Sequence, residues 1–270
     1  MECLVTDLER KAKKIRYEIV KMVGPDNKGH IGGSCSIADI MSALYFYKMK
    51  LDPQNPQWNE RDRLLLSKGH AALAQYVVLA ELGYFPRGEL KNLKRLGAML
   101  QGHPDMLKTS GVEANTGSLG QGLSIACGMA LGAKLDKKHY SVYCILGDGE
   151  TQEGQIWEGA MTASRFKLDN LVAILDRNEL QASGPTITGG DSQVDKWRAF
   201  GWNVVEIDGH DMKQIVQTLD NVKMTKGKPF MIIAKTIKGK GIPFAENNPA
   251  FHNGSMTQAE YEIACQLLQS

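Results

Sequence analysis

An α/β fold, a parallel sheet with helices on both of its faces, is what the sequence predicts, and three observations carry it. Residues 141–146, 171–175, 203–207 and 229–234 are short aliphatic-rich runs that read as strands. Most are apolar throughout rather than alternating, as in strands buried on both faces. Stretches with helical periodicity, 156–166 and 212–222, lie between them, and strands that alternate with helices pair in parallel. The length of 270 residues is enough for one sizeable core. No repeat, low-complexity tract or linker-like shift in composition divides it, so a single domain over residues 1–270 is expected.

The remaining elements follow in order. Leu4, Leu8, Ala12, Ile15, Ile19 and Met22 lie on one stripe of an amphipathic helix that Gly24-Pro25 stops. A Gly-rich turn over 29–33 precedes a helix over 37–48. Residues 51–63, with Pro53 and Pro56, read as a surface loop, and a helix follows over 71–82. Residues 118–135 mix small residues with Leu123, Ile125, Ala126, Met129 and Leu131, which predicts a tightly packed buried helix. A last helix is expected over 258–268.

Composition removes several function classes. The net charge of +2 lacks the basic excess that phosphate neutralisation on a nucleic acid needs. No apolar run approaches the roughly 20 residues of a membrane helix. The first 14 residues carry Glu2, Asp7 and Glu9, so no signal peptide is read there. Cys3, Cys35, Cys127, Cys144 and Cys265 are odd in number, scattered and without a CxxC pair. That pattern fits reduced thiols in a cytoplasmic protein and argues against a zinc site.

In open parallel sheets ligands bind beyond the carboxyl ends of the strands. Gly147-Asp148-Gly149 follows one strand and opens a helix, a context in which backbone approaches an anion and the helix N-terminus favours it. An acidic Asp148 beside a phosphate needs a cation, and magnesium takes a few oxygen ligands together with phosphate and water. Asn178 ends the next strand, one strand–helix–strand unit (about 30 residues) later. A carboxylate, an amide oxygen and a loop carbonyl such as that of Leu180 make half of an octahedral site. Alone, the Gly-Asp-Gly is as well read as a turn; Asn178 at one crossover distance tips the reading to a diphosphate–metal site. A dinucleotide fold is the rival, with Asp176 as its ribose-binding acid, but Gln152 stands where the third glycine of GxGxxG belongs. Gly239-Lys240-Gly241 is read as a mobile turn.

Four of the six histidines, His30, His70, His103 and His252, sit in glycine-flanked loops. Any one alone is most often a satisfied loop histidine. Together they point to a pocket of imidazoles that binds hydroxyls or phosphate and moves protons near neutral pH. His139 reads as surface, and His210 as a structural loop residue. Glu153 and Glu158 are read either as acids favoured by a helix N-terminus or as members of a carboxylate network.

Asn115-Thr-Gly-Ser-Leu-Gly-Gln-Gly122, Gly147-Asp-Gly-Glu-Thr-Gln-Glu-Gly154 and Asp176-Arg-Asn178 resemble the diphosphate-binding domain of transketolase. The resemblance extends through Gly29-His30, Ser67-Lys-Gly-His70, Gly102-His-Pro104 and Lys235-Thr-Ile-Lys-Gly-Lys-Gly241, nearly the whole chain. It implies a thiamine diphosphate-binding fold and transfer of a two-carbon ketol unit, for example from xylulose 5-phosphate to ribose 5-phosphate. It implies a magnesium ion, with calcium or manganese as substitutes, on Asp148, Asn178 and the Leu180 carbonyl. His70 and Gly149 would approach the diphosphate, while Gly117 and Leu119 would face the rest of the cofactor. His103 would contact the donor's ketol hydroxyls, and His30 and His252 the sugar hydroxyls and acceptor carbonyl. Glu153 would join a carboxylate network between two active sites. Ser118 and Asp105 depart mildly from the family pattern, which often has Pro and Glu there, and leave the sugar open. Deoxyxylulose-phosphate synthase and pyruvate dehydrogenase components fit these loops less well.

Transketolases continue into pyrimidine-binding and C-terminal domains. The resemblance therefore implies an N-terminal subunit that pairs with a C-terminal transketolase subunit in an α2β2 heterotetramer. The alternatives are a subunit for another ketose or 2-oxo acid, and a cofactor-binding regulatory subunit without catalysis.

Overall fold

The computed structural model describes residues 1–187, 192–222 and 226–269. Five parallel strands form its centre: β1 (Arg63–Leu66), β2 (Val142–Gly147), β3 (Leu171–Arg177), β6 (Asn203–Asp208) and β7 (Phe230–Lys235), in the order β1-β2-β3-β7-β6. β4 (Leu180–Gln181) and β5 (Gly184–Pro185) make a small antiparallel ribbon beyond the end of β3. Register aligns the strand ends, with Gly147 beside Asp176 and Asp176 beside Ala234.

Side chains alternate between two cores. Leu64, Leu66, Tyr143, Ile145, Val172, Ile174 and Ile232 pack on one side. Leu65, Val142, Cys144, Leu146, Leu171, Ala173, Leu175, Met231 and Ile233 pack on the other. Both faces are covered, which is why these strands are apolar at every position. The first face carries α1 (Glu2–Val23), α2 (Ile31–Cys35), α3 (Ala38–Ala43), α4 (Ala72–Leu82), α8 (Met212–Asn221) and α9 (Gln258–Gln269). The second carries α5 (Gln121–Leu135), α6 (Gly154–Arg165) and α7 (Gln193–Ala199).

The connections obey right-handed crossover. From β2 to β3 and from β3 to β6 the chain moves one way across the sheet, with α6 and α7 on the second face. From β6 to β7 it turns back, and α8 lies on the first face. The chains leaving β1 and β2 thus diverge to opposite faces through α4 and α6, and a crevice opens between them at the carboxyl edge.

Four sequence expectations need correction. The 29–33 turn is entered by helix α2, whose residues are all buried; a Cβ on Gly32 would come within 3.0 Å of the Phe251 carbonyl oxygen, so glycine there serves close packing. The 37–48 helix is α3 followed by a π-helical stretch over Leu44–Lys48. The helix expected from 118 starts at Gln121, because Gly120 takes a left-handed backbone (φ 87) and gives its N–H to the Glu150 carboxylate. That helix is buried on one face only, since Ile125 and Leu135 are exposed. β1, α7 and the β4–β5 ribbon carry no pattern that the sequence reading recognised; β1 has only four residues at the start of an apolar run.

Ile174 lies on the central strand, 2% exposed. Ile174→Ala is expected to cost about 2–5 kcal/mol through lost burial and a residual cavity. Urea unfolding with an unchanged m-value checks it.

Candidate active site

Four strand ends converge on one cleft of about 280 Å³, lined by Lys68, His70, Leu119, Asp148, Gly149, Glu153, Asn178, Leu180, Lys238 and His252 among others. Its floor is a buried ion pair. Asp176, the sixth residue of β3 and fully buried, accepts from the Lys68 ammonium, from the Ser36 hydroxyl at 2.8 Å, from the Thr236 hydroxyl and from the Asn178 amide at 2.9 Å. Burial alone would raise its pKa, but Lys68 and these donors outweigh it and hold the carboxyl below its ordinary value. Lys68 also donates to the Gly33 carbonyl at 2.8 Å. With four donors on it, Asp176 has no role as a ribose-binding acid, which disposes of the dinucleotide alternative.

Asp148 follows β2. Its carboxylate caps the turn over Gly149–Gln152 by accepting from the Gly149 N–H at 2.7 Å, and it also accepts from the Glu179 N–H. Burial, then the neighbouring Asp176 charge, push its pKa up to about 6. The Asn178 amide is oriented by its bond to Asp176, so its oxygen faces away and accepts from the Leu180 N–H at 3.2 Å. The Leu180 carbonyl accepts from the Lys238 ammonium at 2.8 Å. Asp148, Asn178 and Leu180 all line this cleft. Among the described residues no group of three or more His, Cys, Asp or Glu side chains could hold a metal; the oxygens that this part of the cleft offers are one carboxylate, one amide oxygen and one backbone carbonyl.

A second buried carboxylate, Glu150, fastens three loops. It accepts from Ser67 after β1, from the Gly120 N–H at 2.9 Å and from the Gly147 N–H at 3.0 Å. The loop bearing His70 is pressed on the Asn115–Gly122 motif so closely that a Cβ on Gly69 would lie 2.6 Å from the Thr116 carbonyl carbon.

The four loop histidines do form one cluster. Ring centroids are 5.2 Å apart for His30 and His70, 4.9 Å for His70 and His252, 5.6 Å for His30 and His252, and 6.1 Å for His30 and His103. Gly29 and Gly254 exchange backbone hydrogen bonds of 2.9 and 3.2 Å, which brings His30 beside His252 from opposite ends of the chain. The Tyr76 hydroxyl holds the 101–103 loop by donating towards the carbonyls of Gln101 and His103, at 3.0 and 2.9 Å. His103 itself is exposed at the mouth, and Gly117 packs against its ring. Burial, then the Lys94 charge, lowers His30 to about 4; burial, then Lys238, lowers His252 to about 4. His70 falls further, by burial and Lys68, and His103 falls by burial and Lys94. All four shifts favour the neutral imidazole, whose unprotonated ring nitrogen accepts a hydrogen bond.

Glu153 stands exposed at the rim of the cleft and does not cap α6 with its side chain. Glu158 faces a separate groove between α5 and α6. His139 is exposed, as read. His210 does more than fill a loop: its Nδ1 lies 2.7 Å from Asp39, and its Nε2 accepts from the Ile237 N–H at 2.8 Å. Lys68, Asp176, Glu150 and Lys238 were not picked out as site residues from sequence. Their signal was a charge continuing an apolar strand, or lying inside a glycine-flanked loop motif.

Residues 8–268 match the family described as transketolase, thiamine diphosphate binding domain. The chain belongs to the transketolase family. It is 48% identical over 260 residues to a 6-deoxy-6-sulfo-D-fructose transketolase subunit of Clostridium sp. (strain MSTE9), covering 96% of this chain and 94% of that one. It is 43% identical over 262 residues to an apulose-4-phosphate transketolase subunit of Phocaeicola vulgatus, covering 96% and 93%. Its fold matches the crystal structure of transketolase from Campylobacter jejuni with a TM-score of 0.91 at 34% identity, over 97% of this chain and 42% of that one. The chain thus spans about two fifths of that solved transketolase, and corresponds to the thiamine diphosphate-binding part of the family. None of its helices, among the described residues, is long and apolar enough to cross a membrane.

The lowered histidines set a pH dependence. Folded values near 4 for His30 and His252 lie below the ordinary 6.5, so the unfolded chain binds more protons between those limits. Stability of the cofactor-free chain is expected to fall as pH drops from about 6.5 to about 4. Replacing His252 with Asn should flatten part of that slope; an unchanged slope in urea midpoints would show that this imidazole titrates normally.

Proposed function

We propose that this chain is the N-terminal subunit of a split transketolase, a transferase that moves a two-carbon ketol unit from a ketose phosphate to an aldose phosphate. The observation that carries the reading is one cleft at the carboxyl edge of the sheet lined by Asp148, Asn178, Leu180, His70 and His252, with the His30 ring packed on both histidines and on His103. The donor chemistry fits the cofactor. Asp148 and the Asn178 oxygen, with the Leu180 carbonyl, supply hard oxygens suited to magnesium, or to calcium or manganese in its place. Gly149, His70 and Leu119 line the same cleft, the first two assigned to a diphosphate, and Gly117 lies against the His103 ring.

Thiamine diphosphate, when bound, supplies the nucleophilic carbon and the electron sink for cleaving the ketose. The protein's own groups orient substrate and move protons. His103, at the mouth beside Gly117, contacts the donor's ketol hydroxyls. His30 and His252 hold the sugar hydroxyls and transfer the proton at the acceptor's carbonyl oxygen. The Nδ1 of His252 is buried and has no hydrogen-bond partner among the described residues. Glu153 at the rim is assigned to a carboxylate network with a neighbouring protomer.

The chain spans 42% of a solved transketolase that matches it, and relatives that it matches over nearly their whole length are named as subunits. Both support a partner chain, the C-terminal transketolase subunit with the pyrimidine-binding domain; an α2β2 assembly in the cytoplasm is part of the proposal, carried over from the family resemblance. Xylulose 5-phosphate and ribose 5-phosphate are the reference donor and acceptor. The names of the relatives, which cite a sulfonated fructose and apulose 4-phosphate, favour a second reading in which a less common ketose bearing a terminal anion is the donor.

Ketol transfer is expected only in the mixture of this chain with the partner, with magnesium and thiamine diphosphate added. Silence towards xylulose 5-phosphate together with turnover of a sulfonated or branched ketose would select the second reading; silence towards all, with the partner shown to bind, would refute catalysis. In the active mixture His103→Ala should lower transfer about tenfold or more while cofactor affinity is kept. Asp148→Asn should instead weaken magnesium-dependent cofactor binding, measured by titration calorimetry.

A further inference from the structure

His210 lies outside the cleft, and both of its ring nitrogens are engaged. Nδ1 is 2.7 Å from an Asp39 oxygen, and Nε2 is 2.8 Å from the Ile237 nitrogen. A backbone N–H can only donate, so Nε2 carries the lone pair and the ring proton sits on Nδ1. Asp39 demands the same tautomer. Burial alone would raise its pKa, but the Arg16 charge and the His210 bond hold it below its ordinary value, as a carboxylate that only accepts. Arg16 in turn donates to both Asp39 oxygens and to the Cys35 carbonyl, the last at 3.2 Å. A chain of bonds thus runs from α1 through α3 to the loop after β6, and ends on the loop after β7.

The backbone under His210 is fixed as well. Its N–H donates to Asp208 at 2.8 Å, and Asp211 caps α8 by accepting from the Gln214 N–H at 3.0 Å. A Cβ on Gly209 would lie 2.5 Å from the Thr236 Cγ2, so glycine there lets the two loops touch. Ile237 is where the chain needs such a hold. The pairing of β3 with β7 ends at Lys235, and one further bond joins the Thr236 N–H to the Arg177 carbonyl at 3.0 Å. The chain then presents the Thr236 hydroxyl to Asp176 and Lys238 to the cleft. Thr236, Ile237 and Lys240 also border a second hollow, which they share with His210. A segment with open space beside it keeps its place through its hydrogen bonds.

We propose that His210 is a positioning residue of the active site: as the Nδ1–H tautomer set by Asp39, it fixes the Ile237 amide through Nε2, and with it the 236–238 segment at the cleft. The proposal rests on the cofactor reading above for the ligand whose binding it affects. His210 does not line the cleft and acts through that segment alone.

The test uses the full chain. Heteronuclear NMR of the ring nitrogens should place the His210 proton on Nδ1; a proton on Nε2 would overturn the proposal without any substitution. His210→Gln and His210→Asn then separate the two ends of the ring. A Gln oxygen reaches the Nε2 position and can accept from Ile237, whereas an Asn amide reaches only the Nδ1 position beside Asp39. Hydrogen exchange at the Ile237 amide should be about tenfold faster in His210→Asn and mostly restored in His210→Gln. Affinity for thiamine diphosphate with magnesium, read by calorimetry, should fall about tenfold in His210→Asn and recover in His210→Gln. The reverse pattern, protection and affinity kept by Asn and lost in Gln, would make the Asp39 contact the one that matters and overturn the proposal. So would equal losses in both variants with a lowered Tm, the signature of simple packing, or faster exchange in His210→Asn with unchanged affinity. An unsubstituted chain that binds no thiamine diphosphate would remove the cofactor reading, and the tautomer and the exchange rates would still decide whether His210 fixes the loop.

Discussion

The buried pairing of Lys68 with Asp176 is the interaction on which the arrangement of the cleft depends. Asp176 is fully buried on the middle strand of the sheet, where an ionised carboxylate survives only if its oxygens are taken by donors. The donors come from four parts of the chain: Lys68 after β1, Ser36 after α2, Thr236 after β7 and Asn178 after β3. Satisfying one carboxylate thus brings four loops to the same place. Replacing one partner of such a pair typically costs about 3–5 kcal/mol, because the other is left buried and unpaired. The pairing also fixes the Asn178 amide, and through it the direction of the oxygen offered to a cation.

Glu150 performs the matching task on the other side of the crevice. By taking donors from Ser67, Gly120 and Gly147 it joins the ends of β1 and β2 to the start of α5. The two buried acids hold the loops of a site whose working groups are left less constrained. Among the described residues the His252 Nδ1 has no hydrogen-bond partner, and the Lys238 ammonium has one, the Leu180 carbonyl. Polar groups that the fold leaves underused at a strand-end crevice are available to a ligand, whereas those it saturates are scaffold.

Much of this was legible in the sequence, and the boundary has a physical origin. The runs over 141–146, 171–175 and 229–234 read as strands because burial on both faces demands apolar residues at every position, a signal carried within a few residues. Asp148 and Asn178 could be placed together because one crossover unit has a near-constant length. β1 and α7 escaped notice because four and seven residues are too few to show a period. The glycines of 29–33 read as a turn, whereas Gly32 lies in helix α2 and serves the close approach of Phe251, a contact from the far end of the chain.

By itself the sequence determined the fold class, the glycine-framed histidines and the diphosphate-loop motifs, since each is written in local pattern and spacing. Tertiary structure decided which of these groups meet. The exchange of hydrogen bonds between Gly29 and Gly254 sets His30 against His252, the strand order sets Lys68 against Asp176, and the loop held by His210 brings Lys238 to the Leu180 carbonyl. Such contacts arise from strand order and from charges that must be compensated once water is excluded, and no short window of sequence contains either.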